Sequence, residues 1–307
     1  MSGILVAMQG AVAQGVLWGI MVLGVYITYR LLDIADLTVV GSFARGGCVC
    51  ATLIINFDLD PLAALLVSML AGMAAGAVTG ILHTVLEIPA ILAGILTQIS
   101  LWSINLRIMS GKSNLPLLKL KTLISSVGDS LGITQAQASI LVGVAAAVLI
   151  VAVLYWFFGT ELGCSLRATG CNPNMSRAQG INTDFCKVLG LMISNGLVAL
   201  SSALLAQYQG FADVNMGRGA IVIGLAAVII GEAIFSLIFR NFALRLLAVA
   251  FGSILYYLVL QTVIWMGIDT DLLKMLSALV VAVFLAVPYW KGKYFAKPAK
   301  RGGRNNA

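Results

Sequence analysis

ELGCSLRATGCNPNMSRAQGINTDFCK, residues 161–187, is a long polar interval between two apolar stretches of the chain. It contains Arg167, Arg177, the dipeptide Asn172-Pro173 and three glycines. A polar segment of this length cannot stay in hydrocarbon, because its polar groups would lose their water. We therefore expect the interval to lie in water and the apolar stretches beside it to cross a membrane.

The composition supports this reading. Of the 307 residues, 60% are hydrophobic and 10% are charged, whereas soluble domains carry about 25% charged residues. Apolar runs recur along the chain, and about 20 such residues cross roughly 30 Å of hydrocarbon as a helix. The runs are continuous, not alternating, which excludes a transmembrane barrel. We predict an all-α polytopic membrane protein with a single transmembrane domain over residues 1–307.

The apolar runs predict about nine transmembrane helices, within a range of eight to ten. The first run is interpreted as a retained span, because no basic region or cleavage site of a signal peptide precedes it. The predicted spans are 10–30, 36–56, 61–83, 88–109, 138–158, 187–209, 218–239, 243–265 and 271–290.

Lysine and arginine residues predict the orientation. The net charge is +7, and a basic tail at 291–307 contributes strongly to it. Cytoplasmic segments retain basic residues, so we assign the tail to the cytoplasm and not to a nucleic-acid site. Nine crossings then place the loop 111–136 outside and the interval 161–187 inside, with Arg45 in the bilayer. The inner group is Arg30, Arg167, Arg177, Lys187, Arg240, Arg245, Lys291, Lys293, Lys297, Lys300, Arg301 and Arg304, and the outer group is Arg107, Lys112, Lys119, Lys121, Arg218 and Lys274.

The sequence contains no recognisable catalytic, metal-binding or nucleotide-binding motif. It has five cysteines and one histidine, His83, without the spacing of a metal site. A disulfide framework is not expected, because three of the cysteines lie in the interval assigned to the cytoplasm. No Ser/His/Asp set, carboxylate pair or phosphate-binding loop is present. We expect no catalytic residue, metal or cofactor, and any ATP must be bound by another chain.

One short motif occurs twice. Ala35-Asp36-Leu37 with Gly41 resembles Ala212-Asp213-Val214 with Gly217, and each copy follows one apolar span and precedes another. The crossing count places Asp36 at the inner side and Asp213 at the outer side. This opposite placement is what an inverted repeat would produce.

A few polar side chains fall within the spans. Arg45 follows Asp36 closely enough to lie about 14 Å deep on a helix, where an unpaired charge costs at least ~2.5 kcal/mol. It either contacts the carboxylate of a solute or pairs with a carboxylate or helix C-terminus of the protein. Glu232 is expected to pair with Arg240 or Arg245, with a proton relay as the alternative. The amides that either line a polar path or join helices are Asn195, Gln207 and Asn215.

Small residues predict where helices touch. Glycines four residues apart form smooth stripes that allow close backbone approach, and we interpret them as packing seams. The loop 111–136 is predicted to be either an amphipathic segment on the outer surface or a packed connection. The two stripes consist of Gly72, Gly76 and Gly80 in the third span, and of Gly15 and Gly19 in the first.

At residues 161–204 the sequence resembles the membrane-spanning subunit of bacterial ABC importers, in the superfamily of branched-chain amino-acid and ribose permeases. The matching residues are 163–170 (GCSLRATG), Asn172-Pro173, Arg177, 180–182 (GIN), Lys187, Ser194 and 200–204. Four further segments are similar to a branch that includes tryptophan or tyrosine importers. They are 35–39 (ADLTV), 41–43 (GSF), 211–217 (FADVNMG) and 224–232 (GLAAVIIGE).

The resemblance implies the ABC importer permease fold and alternating access in the bacterial inner membrane. It implies three kinds of partner: cytoplasmic ATPases that bind ATP and magnesium, an extracytoplasmic solute-binding protein or lipoprotein, and a second permease subunit in a homodimer. The implied solute is an amino acid, possibly aromatic in this branch, with a sugar or nucleoside as the alternative. Arg45, Cys48 and Cys50 depart from the small or apolar residues expected at their positions, and Cys164 and Cys171 are unusual within the motif.

The resemblance also assigns residues to roles. The interval 161–187 matches the segment that couples the permease to its ATPase, where Asn172 or Asn174 can cap a short helix and two arginines can pair with acidic partner residues. The coupling residues are Arg167, Ala168, Thr169, Gly170, Asn172, Pro173, Arg177 and Gly180. The residues assigned to the solute path are Asp36, Arg45, Asn195, Asp213, Asn215 and Glu232.

Two other readings are compatible with the sequence. A secondary transporter driven by an ion gradient would use Asp36, Arg45 and Glu232 as coupling groups, would bring down no nucleotide-binding subunit and would work without ATP. A channel-like or structural membrane protein would show no stimulation of ATP hydrolysis by a solute.

The coupling assignment predicts that replacing Arg167, or deleting Asn172 to Met175, abolishes transport and leaves membrane insertion intact. Uptake and membrane content are measured in the same cells. Unimpaired uptake in either variant would contradict the assignment.

Overall fold

The computed structural model describes residues 2–118, 120–235 and 241–266, together with 275, 278–279, 281–283 and 286. The basic tail 291–307, Lys119, Arg240 and most of the predicted span 271–290 lie outside the described residues.

The described chain is almost entirely helical. Seven helices are long and apolar enough to cross a membrane, and Ala220–Phe235 is a shorter apolar helix. The prediction of a polytopic all-α membrane protein is therefore confirmed. The helices are α1 (Ser2–Tyr26, continued by a π-helical turn at Ile27–Leu31), α2 (Thr38–Phe57), α3 (Pro61–Thr84), α4 (Ala90–Ile108), α5 (Leu123–Leu131), α6 (Gln135–Gly159), α7 (Glu161–Cys171), α8 (Pro173–Ala178), α9 (Thr183–Gln209), α10 (Ala220–Phe235) and α11 (Phe242–Trp265), with strands β1 (Asn114–Pro116) and β2 (Phe211–Asp213).

Helix α9 lies at the centre, and glycines of its neighbours allow the close contact. The stripe in α3 packs on the α9 backbone, and a Cβ on Gly76 would overlap Leu191 O. On α2, a Cβ on Gly46 would overlap Ala199 O. The second stripe, Gly15 and Gly19, packs in the same way on α11. Both stripes are packing seams, as predicted.

The bundle has two ends that differ in structure. At the first, which we call the α7 end, α7 packs on the π-helical turn, and both α7 and α8 pack on α9. At the second, the sheet end, β1 pairs antiparallel with β2, and Leu115 lies opposite Ala212. There α5 is joined to α9, because Gln207 Oε1 accepts a hydrogen bond from Leu123 N at 2.8 Å. The loop 111–136 is therefore a packed connection that contains a short helix.

Two non-helical segments run from opposite ends into the middle of the bundle. Residues 32–37 enter from the α7 end, and Asp36 reaches Asn195 near the middle of α9. Residues 214–219 enter from the sheet end, and Gly217 packs against Val40 O near the start of α2. Helix α2 then runs to the sheet end and α10 to the α7 end. Asp36 lies deeper than the crossing count predicted, because the chain turns inward before α2 begins.

The two segments share a local structure. Asp36 Oδ1 accepts a hydrogen bond from Thr38 N at 2.9 Å, and Asp213 Oδ1 accepts one from Asn215 N at 2.6 Å. Each aspartate therefore caps the backbone two residues on. Helix α2 begins at that residue, Thr38, whereas α10 begins five residues beyond Asn215, at Ala220. The repeated sequence motif corresponds to a repeated turn, entered from opposite ends as in an inverted repeat.

Filling the α3 seam tests the central packing. Gly76→Val is expected to lower the free energy of unfolding by about 1–3 kcal/mol, because the new side chain has no space against α9. The matched control is Gly159→Val, since no atom of the described residues lies within 4 Å of a Cβ at position 159. The thermal unfolding midpoint of the detergent-purified chain is measured, and equal midpoints for the two variants would contradict the packing.

Candidate functional sites

Asp36 and Asn195, both predicted for the solute path, lie together in the bundle interior. Asn195 Nδ2 donates hydrogen bonds to Asp36 Oδ2 at 2.7 Å and to Leu191 O at 3.0 Å. Beside them, the hydroxyls of Thr38 and Thr79 are 2.7 Å apart. All four side chains are buried. The Asp36–Asn195 pair therefore joins α9 to the start of α2, and neither side chain faces an open path in this conformation.

Asn215 lies elsewhere, at a cavity of about 310 Å³ between α2, α4 and residues 214–219. Asn105 and Trp102 of α4 line the same cavity. The Oδ1 atoms of Asn105 and Asn215 are buried and have no hydrogen-bond partner among the described residues. The sequence analysis missed Asn105 and Trp102; an amide inside an otherwise apolar span was the available signal.

Arg45 projects from α2 and is partly buried. Its Nε is buried without a hydrogen-bond partner, and Arg45 forms no ion pair with any carboxylate that the structure describes. Of the two predicted roles, pairing inside the protein is therefore not observed in the described part. The role as a solute contact stays a prediction.

Glu232 pairs with a residue that the sequence analysis did not consider. Its Oε1 accepts a hydrogen bond from Arg30 Nε at 3.0 Å, and both side chains are partly exposed. The predicted pairing with Arg245 is wrong for the described structure, and Arg240 lies outside it. Local spacing pointed to the arginines that follow α10, whereas the fold brings the π-helical turn of α1 to the end of α10.

Helix α8 is a short exposed helix with a defined start. Asn172 Oδ1 accepts a hydrogen bond from Met175 N at 3.1 Å, and Pro173 occupies the first helical position. Both residues favour helix initiation. At the other end, Gly180 has φ +82°, which favours glycine. The predicted cap is therefore Asn172.

The preceding helix α7 is fixed to the bundle on its inner face. Gly170 packs against Leu31 O, where a Cβ would overlap the carbonyl. Leu166 and Thr169 are fully buried, and Thr169 donates a hydrogen bond to Ser165 O. Ala168 is partly buried. Of the predicted coupling residues, Thr169 and Gly170 therefore hold α7 on the bundle.

The two arginines of this segment have partners within the chain. Arg167 lies over the ring of Phe242, with its Cζ 5.4 Å from the ring centroid. Arg177 donates from Nε to Thr183 Oγ1 at 2.7 Å and from Nη2 to Asp184 Oδ1 at 3.0 Å. Their pairing with acidic residues of a partner stays a prediction.

What α7 and α8 present to solvent is the turn between them. Asn172, Pro173 and Asn174 are exposed, and the side chain of Met175 is 60% exposed. An exposed methionine on a polar turn is a surface that can adapt to a partner. Met175 was not among the predicted coupling residues, because it is not one of the residues on which the resemblance rests.

A double-mutant cycle tests the buried pair. Asn195→Leu is expected to lower the free energy of unfolding by about 3 kcal/mol, because it leaves the Asp36 carboxyl with an unmet hydrogen bond. Combining it with Asp36→Leu is expected to cost less than the sum of the two changes. Ser100→Ala on the exposed face of α4 is the control, and additive unfolding midpoints would contradict the pairing.

Comparison with known proteins identifies the family of this chain. Residues 7–287 match the family model described as branched-chain amino acid transport system / permease component. A tyrosine transport system permease protein of Clostridioides difficile is 41% identical over 286 residues, covering 93% of this chain and 91% of that protein. An uncharacterized protein of Rickettsia prowazekii is 36% identical over 278 residues, covering 90% of this chain and 95% of that protein.

A more distant relative is an autoinducer 2 import system permease protein of Yersinia pseudotuberculosis. It is 30% identical over 194 residues, which cover 62% of this chain and 53% of that protein. No solved structure matches the chain. With a family model that spans most of its length and a full-length relative above 40% identity, the chain belongs to the family of ABC-type permease components that includes the branched-chain amino acid permeases.

Proposed function

We propose that this chain is the membrane-spanning subunit of an ATP-driven importer that carries an aromatic amino acid into the bacterial cytoplasm. The main support for this proposal is the structure of the α7–α8 segment. Its capped turn is exposed to solvent, and the helix before the turn is packed against the bundle. An extracytoplasmic binding protein delivers the solute at the sheet end. Cytoplasmic ATPase subunits, which hold ATP and magnesium, dock at the α7 end.

The contacts around α7 give a route for mechanical coupling. Gly170 of α7 lies against Leu31 in the π-helical turn of α1. In the same turn, Arg30 pairs with Glu232 of α10. A π-helical turn departs from regular helix hydrogen bonding and often occurs at functional sites. Movement of α8 by an ATPase would therefore reach α1 and α10, and so bias the chain between inward-open and outward-open states.

The amino acid as solute is supported by the tyrosine permease relative, which covers nearly the whole chain. The autoinducer 2 permease, which would favour a sugar-like solute, matches only 62% of the chain. An ion-gradient transporter receives less support from the geometry. Such a transporter would use Asp36, Arg45 and Glu232 as coupling groups. Asp36 is buried and accepts a hydrogen bond from Asn195, and Glu232 is paired with Arg30.

A second copy of the permease completes the proposed complex. Helices α4 and α6 are the least enclosed of the long helices. Both expose large apolar side chains, among them Leu96 and Trp156. Lipid and a second subunit can cover such faces, and a symmetric homodimer is the commonest arrangement.

Charging the exposed turn tests the docking. Met175→Asp is expected to reduce ATP-driven uptake at least tenfold, because a carboxylate would be buried at the ATPase contact, and removing about 1.4 kcal/mol of contact energy is a tenfold effect. The control is Leu86→Asp, which places the same charge on an equally exposed leucine just after α3, outside the α7–α8 segment.

Uptake of tritiated L-tyrosine is measured in vesicles that contain the permease with its ATPase and binding protein, with and without ATP. Wild-type uptake that needs no ATP would contradict the proposed function. Equal loss in the two variants would contradict the assignment of Met175 to the contact.

A further inference from the structure

Two residues that line the cavity between α2, α4 and residues 214–219 have buried amide oxygens without donors. Asn105 is fully buried, and its Nδ2 lies 3.4 Å from Gly41 O, a long contact. Its Oδ1 and that of Asn215 have no partner among the described residues. A buried amide oxygen without a donor costs free energy, so a group that donates hydrogen bonds would be stabilised in this cavity.

A group that favours an anion also lines the cavity. Arg218, a guanidinium that can bind a carboxylate through two hydrogen bonds, lines the cavity. Gly217 and Arg218 also lie immediately before α10, and the N-terminus of a helix favours negative charge. The cavity therefore combines acceptors for a cationic donor with groups that favour an anion.

The cavity also has a flat apolar surface and a suitable size. Trp102 of α4 contributes an indole ring to its lining, and aromatic rings stack on one another at favourable energy. The volume of about 310 Å³ falls at the lower end of ligand pockets, which run from about 300 to 1,000 Å³. One amino acid is a ligand of this size class.

We propose that this cavity is a binding site for the zwitterion of an aromatic amino acid within a single permease subunit. In the bound state the Asn105 and Asn215 side chains turn toward the cavity, and the solute's ammonium group donates to their Oδ1 atoms. Its carboxylate faces Arg218, and its ring lies on Trp102. This inference rests on the proposed function for its solute, and it adds residues for solute recognition inside the membrane.

The position of the cavity gives the site a role in the transport cycle. It lies where residues 214–219 pack on the first half of α2, so the segments that start α2 and α10 both border it. Movement of α10 against α2 would change the distance between Arg218 and Asn105. A bound zwitterion would therefore be held in one conformation and released in the other.

Binding is tested with the full chain in lipid nanodiscs, without the ATPase or the binding protein. Tritiated L-tyrosine is the probe, read by scintillation proximity. Asn105→Leu and Asn215→Leu are each expected to weaken binding about tenfold, because each removes one hydrogen bond to a charged group. Ser103→Leu, on the exposed face of the same helix, is the matched control and should bind as the wild type does.

Analogues identify which group each residue binds. Tyramine, which lacks the carboxylate, should compete weakly with the wild type but as well as L-tyrosine with Arg218→Gln. The analogue 3-(4-hydroxyphenyl)propanoate, which lacks the ammonium group, should be insensitive to Asn105→Leu. The thermal unfolding midpoint of Asn105→Leu is measured beside that of the wild type, which separates loss of the contact from loss of folding.

The site is overturned if the wild type does not bind L-tyrosine, if Asn105→Leu binds like Ser103→Leu, or if ribose competes better than L-tyrosine. These outcomes are separate from those for the proposed function, which depends on ATP-driven uptake in vesicles. If uptake depends on ATP but Asn105→Leu binds L-tyrosine as the wild type does, the proposed function is supported and the proposed site is contradicted.

Discussion

A non-helical segment inside a membrane protein must satisfy its own backbone, because hydrocarbon offers no hydrogen bonds. Residues 32–37 and 214–219 share one hydrogen bond of this kind, in which an aspartate accepts from the N–H group two residues on. Asp36 lies within the first segment, and Asp213 immediately precedes the second. Asp36 is further held by Asn195 of the central helix. The polar interior of the bundle, including the cavity at Asn215, exists because the chain can leave the helix at these two places.

Much of the fold follows from the sequence. Long apolar runs predicted the spanning helices, since hydropathy and length together leave few other structures in a membrane. The repeated Ala-Asp dipeptide correctly indicated two related segments, and the glycine stripes indicated the helix seams. The capped turn at Asn172 was also predictable, because Asn-Pro before a short polar run favours helix initiation.

What could not be predicted depends on contacts between distant parts of the chain. The sequence gives no spacing that relates Arg30 to Glu232, which are 202 residues apart. Asn105 shares a cavity with Asn215 only because α4 lies beside the segment before α10. The depth of Asp36 in the bundle was underestimated for a similar reason. Apolar runs indicate how many times the chain crosses the membrane, but they do not show where a segment turns inward before a helix begins.

The glycine contacts of α9 limit which parts of the molecule can move independently. Helices α2 and α3 touch its backbone at Ala199 and Leu191 with no side chain between them, and α1 does so through Gly24 at Ser194. Sliding any of these helices along α9 would bring larger residues onto the contact. The four helices are therefore held against sliding along one another, and we expect relative movement to be greater in the helices that surround them.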